Sequence, residues 1–288
     1  MKNIDSKKIK FALPSKGRIS EPSIDLLRRA GYAFRTQGRN LYASCTNADI
    51  TFIFVRADDI PVLVASGAVE IGITGSDLIV ENEVDVVEML PLGYGKCRLC
   101  VAVKNDFPGK DISALAGKTI ATSFPQLSKS FFAKSNINVN CIKMTGSVEI
   151  MVDLNLAAGI VDLVETGDSL RDNELMVFAE IGSYETELIA NKAVANSPEI
   201  LQIKRRIEGI LIADKYTLLE YNIPEERLRE AEKITPGYSS PTVSRLDREG
   251  WLAVKTMVER KNVVTVMDSL ESIGATAILE TSVRNCRL

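Results

Sequence analysis

The chain has 288 residues and no histidine. That absence excludes Ser-His-Asp and Cys-His catalysis, histidine metal ligands and the usual general base of neutral pH. Chemistry must rest on carboxylates, lysine, arginine, backbone donors and a hard metal ion. Cysteine is scarce as well: Cys45, Cys97, Cys100, Cys141 and Cys286 form an odd, scattered set that suits reduced thiols better than a disulfide framework. Cys97 and Cys100 have C-x-x-C spacing inside the extended run KCRLCVAV, where positions three apart point to opposite faces, so the pair reads as structural. There is no basic excess: the net charge of -3 gives nucleic-acid binding no electrostatic support. No apolar run approaches the roughly 20 residues needed to span a bilayer. MKNIDSKKIK leads into the first strand without the apolar core of a signal peptide. Neither membrane nor nucleic acid is therefore an expected partner, and the expected location is cytoplasmic.

What is present is a globular composition, 45% hydrophobic and 25% charged, in a chain long enough for two or three domains. It also holds an internal echo. Residues 57–78, ADDIPVLVASGAVEIGITGSDL, lie over residues 149–170, EIMVDLNLAAGIVDLVETGDSL, without a gap, and six positions are identical. Those are Ala65/Ala157, Gly67/Gly159, Val69/Val161, Thr74/Thr166, Gly75/Gly167 and Leu78/Leu170. The order of elements agrees too: short helix, glycine stop, strand, Thr-Gly turn, helix. The spacing predicts a duplicated α/β unit with each Thr-Gly turn at the carboxyl end of a strand, the edge where open α/β sheets bind ligands. Two such halves facing each other would line a cleft.

The rest fits two α/β halves. KIKFALPSKGRISEPSIDLLRRAGY reads as strand, basic glycine loop and a helix with Ile24, Leu26, Leu27 and Ala30 on its apolar side. ITFIFVRADDIP is a strand ending at Arg56, CRLCVAVKND a strand that crosses to the second half, GKTIATSFPQLSKSFFAK a further strand-loop-helix, and ETELIANKAV the return. From about residue 208 the pattern changes: GILIADKYTLLEY reads as a strand or strand pair, followed by helix, two strands, helix and strand. That order is the ferredoxin-like βαββαβ pattern, with Val263, Val266, Met267, Leu270 and Ile273 at helical spacing as core. Such domains bind small effectors or pair their sheets.

Chemistry-bearing residues gather near the expected strand ends. Lys16, Gly17 and Arg18 follow the first strand, where glycine lets backbone approach an anion and the two cations neutralise polyphosphate; the alternative is a solvated basic turn. Arg56 ends a strand, and Arg98 lies on the crossover, where it reads equally as a surface residue. Thr166-Gly167 opens a helix start able to hold an anion, although small polar residues at helix N-caps are common in α/β proteins. Glu149 follows TGSV, and Asp162 sits in an apolar strand, where a buried carboxylate is costly without partners. Two carboxylates beside a phosphate seat suit ribose hydroxyls or Mg²⁺.

In order along the chain, PSKGRI, VRADDIP, GITGSDL, CRL, IATSFP, GSVE, DLVETGDSL and PGYSSPTVSRL resemble the ATP phosphoribosyltransferase family in its long form. The resemblance spans nearly the whole chain. It implies a two-lobed, periplasmic-binding-protein-like (type II) catalytic part followed by a ferredoxin-like domain. The implied boundaries are lobe I at 1–98 with 184–207, lobe II at 99–183 and a regulatory domain at 208–288. It implies a Mg²⁺-dependent pentosyltransferase that joins N1 of ATP to C1 of 5-phosphoribosyl 1-pyrophosphate and releases pyrophosphate, the first step of histidine biosynthesis. Arg18, Arg56, Glu149 and Asp162 would be catalytic. Asp162, Thr166, Gly167, Asp168, Ser169 and Leu170 would bind phosphoribosyl pyrophosphate, with Glu149 and Asp162 also metal ligands. Lys16, Gly17, Arg18, Arg56, Gly75 and Arg98 would meet ATP and pyrophosphate. Histidine as feedback effector would bind at Tyr238, Ser240, Thr242, Ser244, Gly274 and Ala275, in a homodimer or homohexamer.

The chain also departs from the family pattern. After Glu149 many relatives have Ala-Pro and then a glycine before LADAI, where this sequence has Ile150, Met151, Val152 and later Asn155. Asp168 puts a carboxylate inside the phosphate loop; it is expected to point outward, leaving the loop's donors facing inward. The alternatives are a solute-binding module with the same two-lobed plan and a catalytically silent regulatory paralogue.

Overall fold

The computed structural model describes residues 8–36 and 41–287. The segment 1–7, on which the reading of the amino terminus partly falls, lies outside the described residues. Two compact units are formed, one of residues 1–28 and 32–201, the other of residues 29–31 and 202–288.

In the first unit the chain runs β1 (Ile9–Pro14), α1 (Ser20–Arg29), β2 (Tyr42–Ser44), β3 (Ile50–Val55), α2 (Ile60–Ala65), β4 (Ile71–Gly75), α3 (Ser76–Glu81) and β5 (Val87–Pro91). It continues through β6 (Cys97–Lys104), β7 (Thr119–Thr122), α4 (Pro125–Lys134), β8 (Asn140–Lys143), α5 (Ile150–Asp153), β9 (Gly159–Val164) and α6 (Asp168–Asp172). The last strands are β10 (Leu175–Tyr184) and β11 (Thr186–Ala190). Two sheets result, β2-β3-β1-β4-β11-β5 and β10-β6-β9-β7-β8. Each has three parallel strands with the first in the middle, β3-β1-β4 and β8-β7-β9. Each then adds an antiparallel strand that arrives from the other sheet: β6 follows β5 into the second, and β11 follows β10 back into the first. That plan is the two-lobed, type II periplasmic-binding-protein-like fold.

The internal echo is structural. β4 and β9 hold the same place in their sheets, and the matched residues Ser76 and Asp168 are the first residues of α3 and α6. In the first lobe Ala12, Ile60, Val64, Val69, Ile79 and Ile189 form one buried cluster. In the second, alternation along β6 sends Leu99, Val101 and Val103 to one core and Cys100 and Ala102 to another. Each fully buried aliphatic side chain of this kind contributes about 1.5–3 kcal/mol. All five cysteines are free, as their composition suggests.

The helix α7 (Pro198–Lys215) corrects the reading of GILIADK as strand. Ile203, Ile207, Ile210 and Ala213 are buried at spacings of three and four, a helical stripe that continues into the apolar run. Then come β12 (Tyr216–Pro224), α8 (Leu228–Ile234), β13 (Thr242–Arg245), β14 (Trp251–Glu259), α9 (Val263–Ser272) and β15 (Thr276–Ser282). Their sheet, β13-β14-β12-β15, is antiparallel throughout, which makes the domain ferredoxin-like. Val263 and Leu270 are buried, and Val266, Met267 and Ile273 pack against the same core, as their spacing predicts. Among the described residues no helix is long and apolar enough to cross a membrane.

Gly72 shows how closely α2 is laid on the first sheet. A Cβ there would stand 2.6 Å from Cγ2 of Ile60 and 3.2 Å from Cγ2 of Val64. Gly72→Ala should therefore lower stability by about 1–3 kcal/mol through overpacking. Denaturant unfolding checks this, and an unchanged midpoint would show that α2 can move away at no cost.

Candidate functional site

The carboxyl end of β9 builds the first part of the site. Val164 anchors the strand in the core, and the chain then turns through Gly167, whose φ of 83° at the helix N-cap is left-handed. A side chain there would cost roughly 1–2 kcal/mol, which explains glycine at this position. Leu170 is buried and pins the first turn of α6, leaving Thr166 and Ser169 exposed. Around this turn lies a hollow of about 220 Å³, lined by Glu149, Ile160 and residues 162–170. It gathers Glu149, Asp162, Thr166, Gly167, Asp168, Ser169 and Leu170 in one place.

Asp162 is half-buried, and its Oδ1 accepts from the Leu163 N–H at 2.8 Å. Burial pushes its carboxyl above the usual range, and the charge of Glu149 pushes the same way. A neighbouring pair of carboxylates suits a hydroxyl-bearing ligand or a divalent cation that takes its other ligands from phosphates and water. Among the described residues no group of three acidic or cysteine side chains is placed to hold a metal.

Asp168 is exposed, yet it borders this hollow and its Oδ2 accepts from the Thr166 hydroxyl at 2.5 Å. It also pairs with Arg171. The Thr166 hydroxyl and Arg171 hold its carboxyl below the usual range. The expected outward Asp168 is thus corrected in one respect: it takes up a hydroxyl that the loop was expected to offer.

A second hollow, of about 630 Å³, is lined by residues from both sheets, among them Ser76, Glu88, Lys96, Arg98, Tyr184 and Glu187. Val164 and Glu165 line both hollows, so the two share a wall. Arg18, from the loop after β1, forms an ion pair with Glu165. Arg98 pairs with Glu180 at 3.2 Å. Cys97 also borders the hollow, and burial pushes its thiol up, against the pull of Arg18.

Lys16 and Gly17 are exposed in the β1–α1 loop, Gly17 with a φ of 88°, and Arg56 is exposed at the end of β3. None of the three lines either hollow. The two Thr-Gly turns differ. Thr74 is fully buried with its hydroxyl on the Ala57 carbonyl at 3.0 Å, and Gly75 is extended at φ -80°, its Cα hydrogens facing Oδ1 of Asp77. The first copy is closed and the second open.

In the second unit, Thr242 and Ser244 on the edge strand β13 line a third hollow of about 330 Å³ with Glu220, Lys255 and Leu279. Tyr238 is half exposed and meets Tyr216 edge-on, with ring centroids 5.6 Å apart, and Ser240 is exposed. Gly274, with a φ of 91°, and buried Ala275 form the turn into β15, the opposite edge strand, and do not line that hollow.

Sequence reasoning passed over Asp77, Glu165 and Glu187. Glu165 stands at a strand's carboxyl edge, and Asp77 is the repeat partner of Ser169. Glu187 is a carboxylate in an apolar strand, the same signal that singled out Asp162.

Two α/β lobes, with an open glycine turn and a carboxylate pair at the end of β9 in the second, suit an enzyme that holds a phosphate-bearing substrate, and a ferredoxin-like domain follows them. The model of the ATP phosphoribosyltransferase family matches residues 56–209, and that of the HisG C-terminal domain matches residues 213–285. The chain belongs to the ATP phosphoribosyltransferase family, pentosyltransferases of the first step of histidine biosynthesis. The ATP phosphoribosyltransferase of Rhodopirellula baltica is 46% identical over 280 residues, 97% of this chain and 94% of that one. That of Yarrowia lipolytica is 41% identical, covering 96% of each. A solved ATP phosphoribosyl transferase (HisG:HisZ) complex from Thermotoga maritima superimposes with a TM-score of 0.61 at 26% identity, over 69% of this chain and 98% of that one. Family membership displaces the solute-binding reading.

Glu187 generates a stability test. It is 9% exposed, and burial, reinforced by Glu88 and Glu185, pushes its carboxyl up to about 7 from an ordinary 4.5. A carboxyl raised in the folded state contributes stability that is full below its unfolded pKa and lost as the pH rises through its folded one. Between pH 4 and pH 8 the swing is about 3 kcal/mol. Glu187→Gln should remove that swing, so that its stability relative to the parent rises by this amount across the interval. Parallel urea titrations would read it, and a constant difference would refute the shift.

Proposed function

We propose that this chain joins N1 of ATP to C1 of 5-phosphoribosyl 1-pyrophosphate and releases pyrophosphate, with the phosphoribosyl group in the smaller hollow and ATP in the larger one. The neighbourhood of the two hollows, which share Val164 and Glu165 as a wall, carries this reading. Backbone N–H groups and hydroxyls of Thr166, Gly167, Ser169 and Leu170 seat the 5-phosphate, which takes the Thr166 hydroxyl and Arg171 from Asp168. Asp162 and Glu149 hold the ribose hydroxyls. They also fit Mg²⁺, which when bound neutralises pyrophosphate charge.

Displacement at an anomeric carbon passes through an oxocarbenium-like state, so the protein has mainly to position two polyanions and stabilise the departing pyrophosphate. No strong base is needed, which suits a chain without histidine. Arg18, Arg56, Arg98 and Lys16 supply positive charge, with Gly17 giving backbone room. Before substrate arrives Glu165 occupies Arg18, and pyrophosphate replaces that carboxylate as its partner. The lobes in this reading are 1–98 with 184–207 and 99–183. The domain of 208–288 binds histidine through Tyr238, Ser240, Thr242, Ser244, Gly274 and Ala275, as feedback on a cytoplasmic homodimer or homohexamer. Thr242 and Ser244 bordering one hollow support this.

The test is formation of phosphoribosyl-ATP from ATP, phosphoribosyl pyrophosphate and Mg²⁺. Turnover is expected, and Arg18→Ala should lose about 100-fold in kcat/KM, a charge-assisted contact of roughly 3 kcal/mol in the transition state. Asp168 holding the Thr166 hydroxyl favours a second reading, the silent regulatory paralogue. Phosphoribosyl pyrophosphate binding without any turnover would select it. Histidine should slow the reaction and change the sedimentation of the assembly; no effect on either would remove the regulatory assignment.

A further inference from the structure

In the first unit Asp77 and Glu187 are acidic side chains more than nine-tenths buried. Asp77 receives backbone N–H groups of its own turn and faces Arg18. Glu187, on β11, makes no hydrogen bond or ion pair among the described residues, yet it borders the larger hollow. Burial of a carboxylate with no partner is costly, and a group kept in that state facing a cavity is matched to a donor that the cavity receives.

The larger hollow is lined by charges of both signs. Lys96 and Arg98 supply cations, while Glu88, Glu185 and Glu187 form an acidic part. A triphosphate is repelled by the acidic part, so the nucleoside end of ATP faces it. That end offers hydrogen-bond donors at the 6-amino group of adenine and at the ribose hydroxyls. The 6-amino group is the better match, because N1 has to reach the ribosyl carbon in the adjoining hollow and the amino group sits beside N1.

We propose that Glu187 accepts a hydrogen bond from the 6-amino group of adenine, a substrate contact that selects adenine and strengthens as the bond forms. The proposal rests on the assignment of ATP to the larger hollow. As the N1 lone pair bonds to the ribosyl C1, the C1–O bond breaks and its electron pair leaves with pyrophosphate. Positive charge then spreads over N1, C6 and the amino nitrogen. A carboxylate facing the amino N–H is stabilised by that charge, and transfer of one amino proton to it leaves a neutral 6-imino base and a neutral carboxyl group. Such differential stabilisation accelerates the step rather than merely tightening binding. A carboxyl raised to about 7 by burial, Glu88 and Glu185 is a closer proton match than an ordinary one.

The experiment compares kcat/KM for ATP, for purine riboside triphosphate, which keeps N1 and lacks the amino group, and for 2′-deoxy-ATP, in the parent and in Glu187→Ala and Glu187→Gln. Comparing ratios between proteins cancels the intrinsic reactivity of each nucleotide. Glu187→Ala should lower the preference for ATP over purine riboside triphosphate at least tenfold, with the KM for phosphoribosyl pyrophosphate unchanged. Glu187→Gln, whose amide oxygen still accepts, should retain part of the preference. It should also lose the rise of kcat/KM for ATP near pH 7. Equal losses on all nucleotides would make Glu187 structural and overturn the proposal, as would a changed preference against 2′-deoxy-ATP instead. If the parent is active and Glu187→Ala keeps its preference, this proposal alone falls; a parent without turnover brings down the ATP assignment with it.

Discussion

Everything functional in the first unit depends on the exchange of one antiparallel strand between two sheets. β6 pairs with β9 and β11 with β4, and each arrives from the opposite lobe. The chain therefore crosses twice, through residues 92–96 and through Glu185, and both crossings lie beside the carboxyl ends of β4 and β9. Cys97, Arg98, Tyr184 and Glu187 all stand within a few residues of a crossing and border the larger hollow. Antiparallel pairing to a neighbour with a buried face fixes register strongly, because a slip of one residue would turn every side chain over. The crossings thus set the position of the charges, and the charges need no rigid loop of their own.

The duplicated unit shows how one supersecondary design yields two different surfaces. Thr74 and Thr166 are matched in sequence, but the first gives its hydroxyl to a backbone carbonyl in the core and the second meets Asp168 at the surface. Gly75 stays extended where Gly167 turns left-handed. One copy is packed into its sheet and the other stands at the surface. The departure at Asn155 fits the same physics: its φ is 54°, a left-handed conformation that asparagine tolerates better than most side chains, so glycine is not obligatory there.

Much of this was legible in the residues because each piece carried a local signal. The alternation in CRLCVAVK, the Thr-Gly turns and the period of Val263 to Ile273 each report on contacts within a few residues. The helix α7 was not legible at its end, since Ile210, Leu211 and Ile212 are consecutive and apolar, and only the upstream Ile203 and Ile207 reveal the helical stripe. Which cation meets which carboxylate was also hidden. Arg18 and Glu165 are 147 residues apart, and no periodicity links them. Family resemblance named Arg18 as a substrate ligand, but the carboxylate facing it emerges from the crossing of the chain.

The charge pattern also accounts for a chemistry without histidine. Arg18 and Arg98 each have a carboxylate partner, Glu165 and Glu180, while Glu187 has none among the described residues. A cation held by an exposed carboxylate is cheaply released, because such a pair gains little over water. A buried carboxylate without a partner behaves in the opposite way, gaining most from whatever donor arrives. In the proposed reaction the cleft would present cations that change partners as pyrophosphate departs, together with a carboxylate that strengthens its hold as positive charge forms on the nucleophile. Both responses follow the direction of electron flow from N1 to pyrophosphate, and neither requires a group that titrates as histidine does.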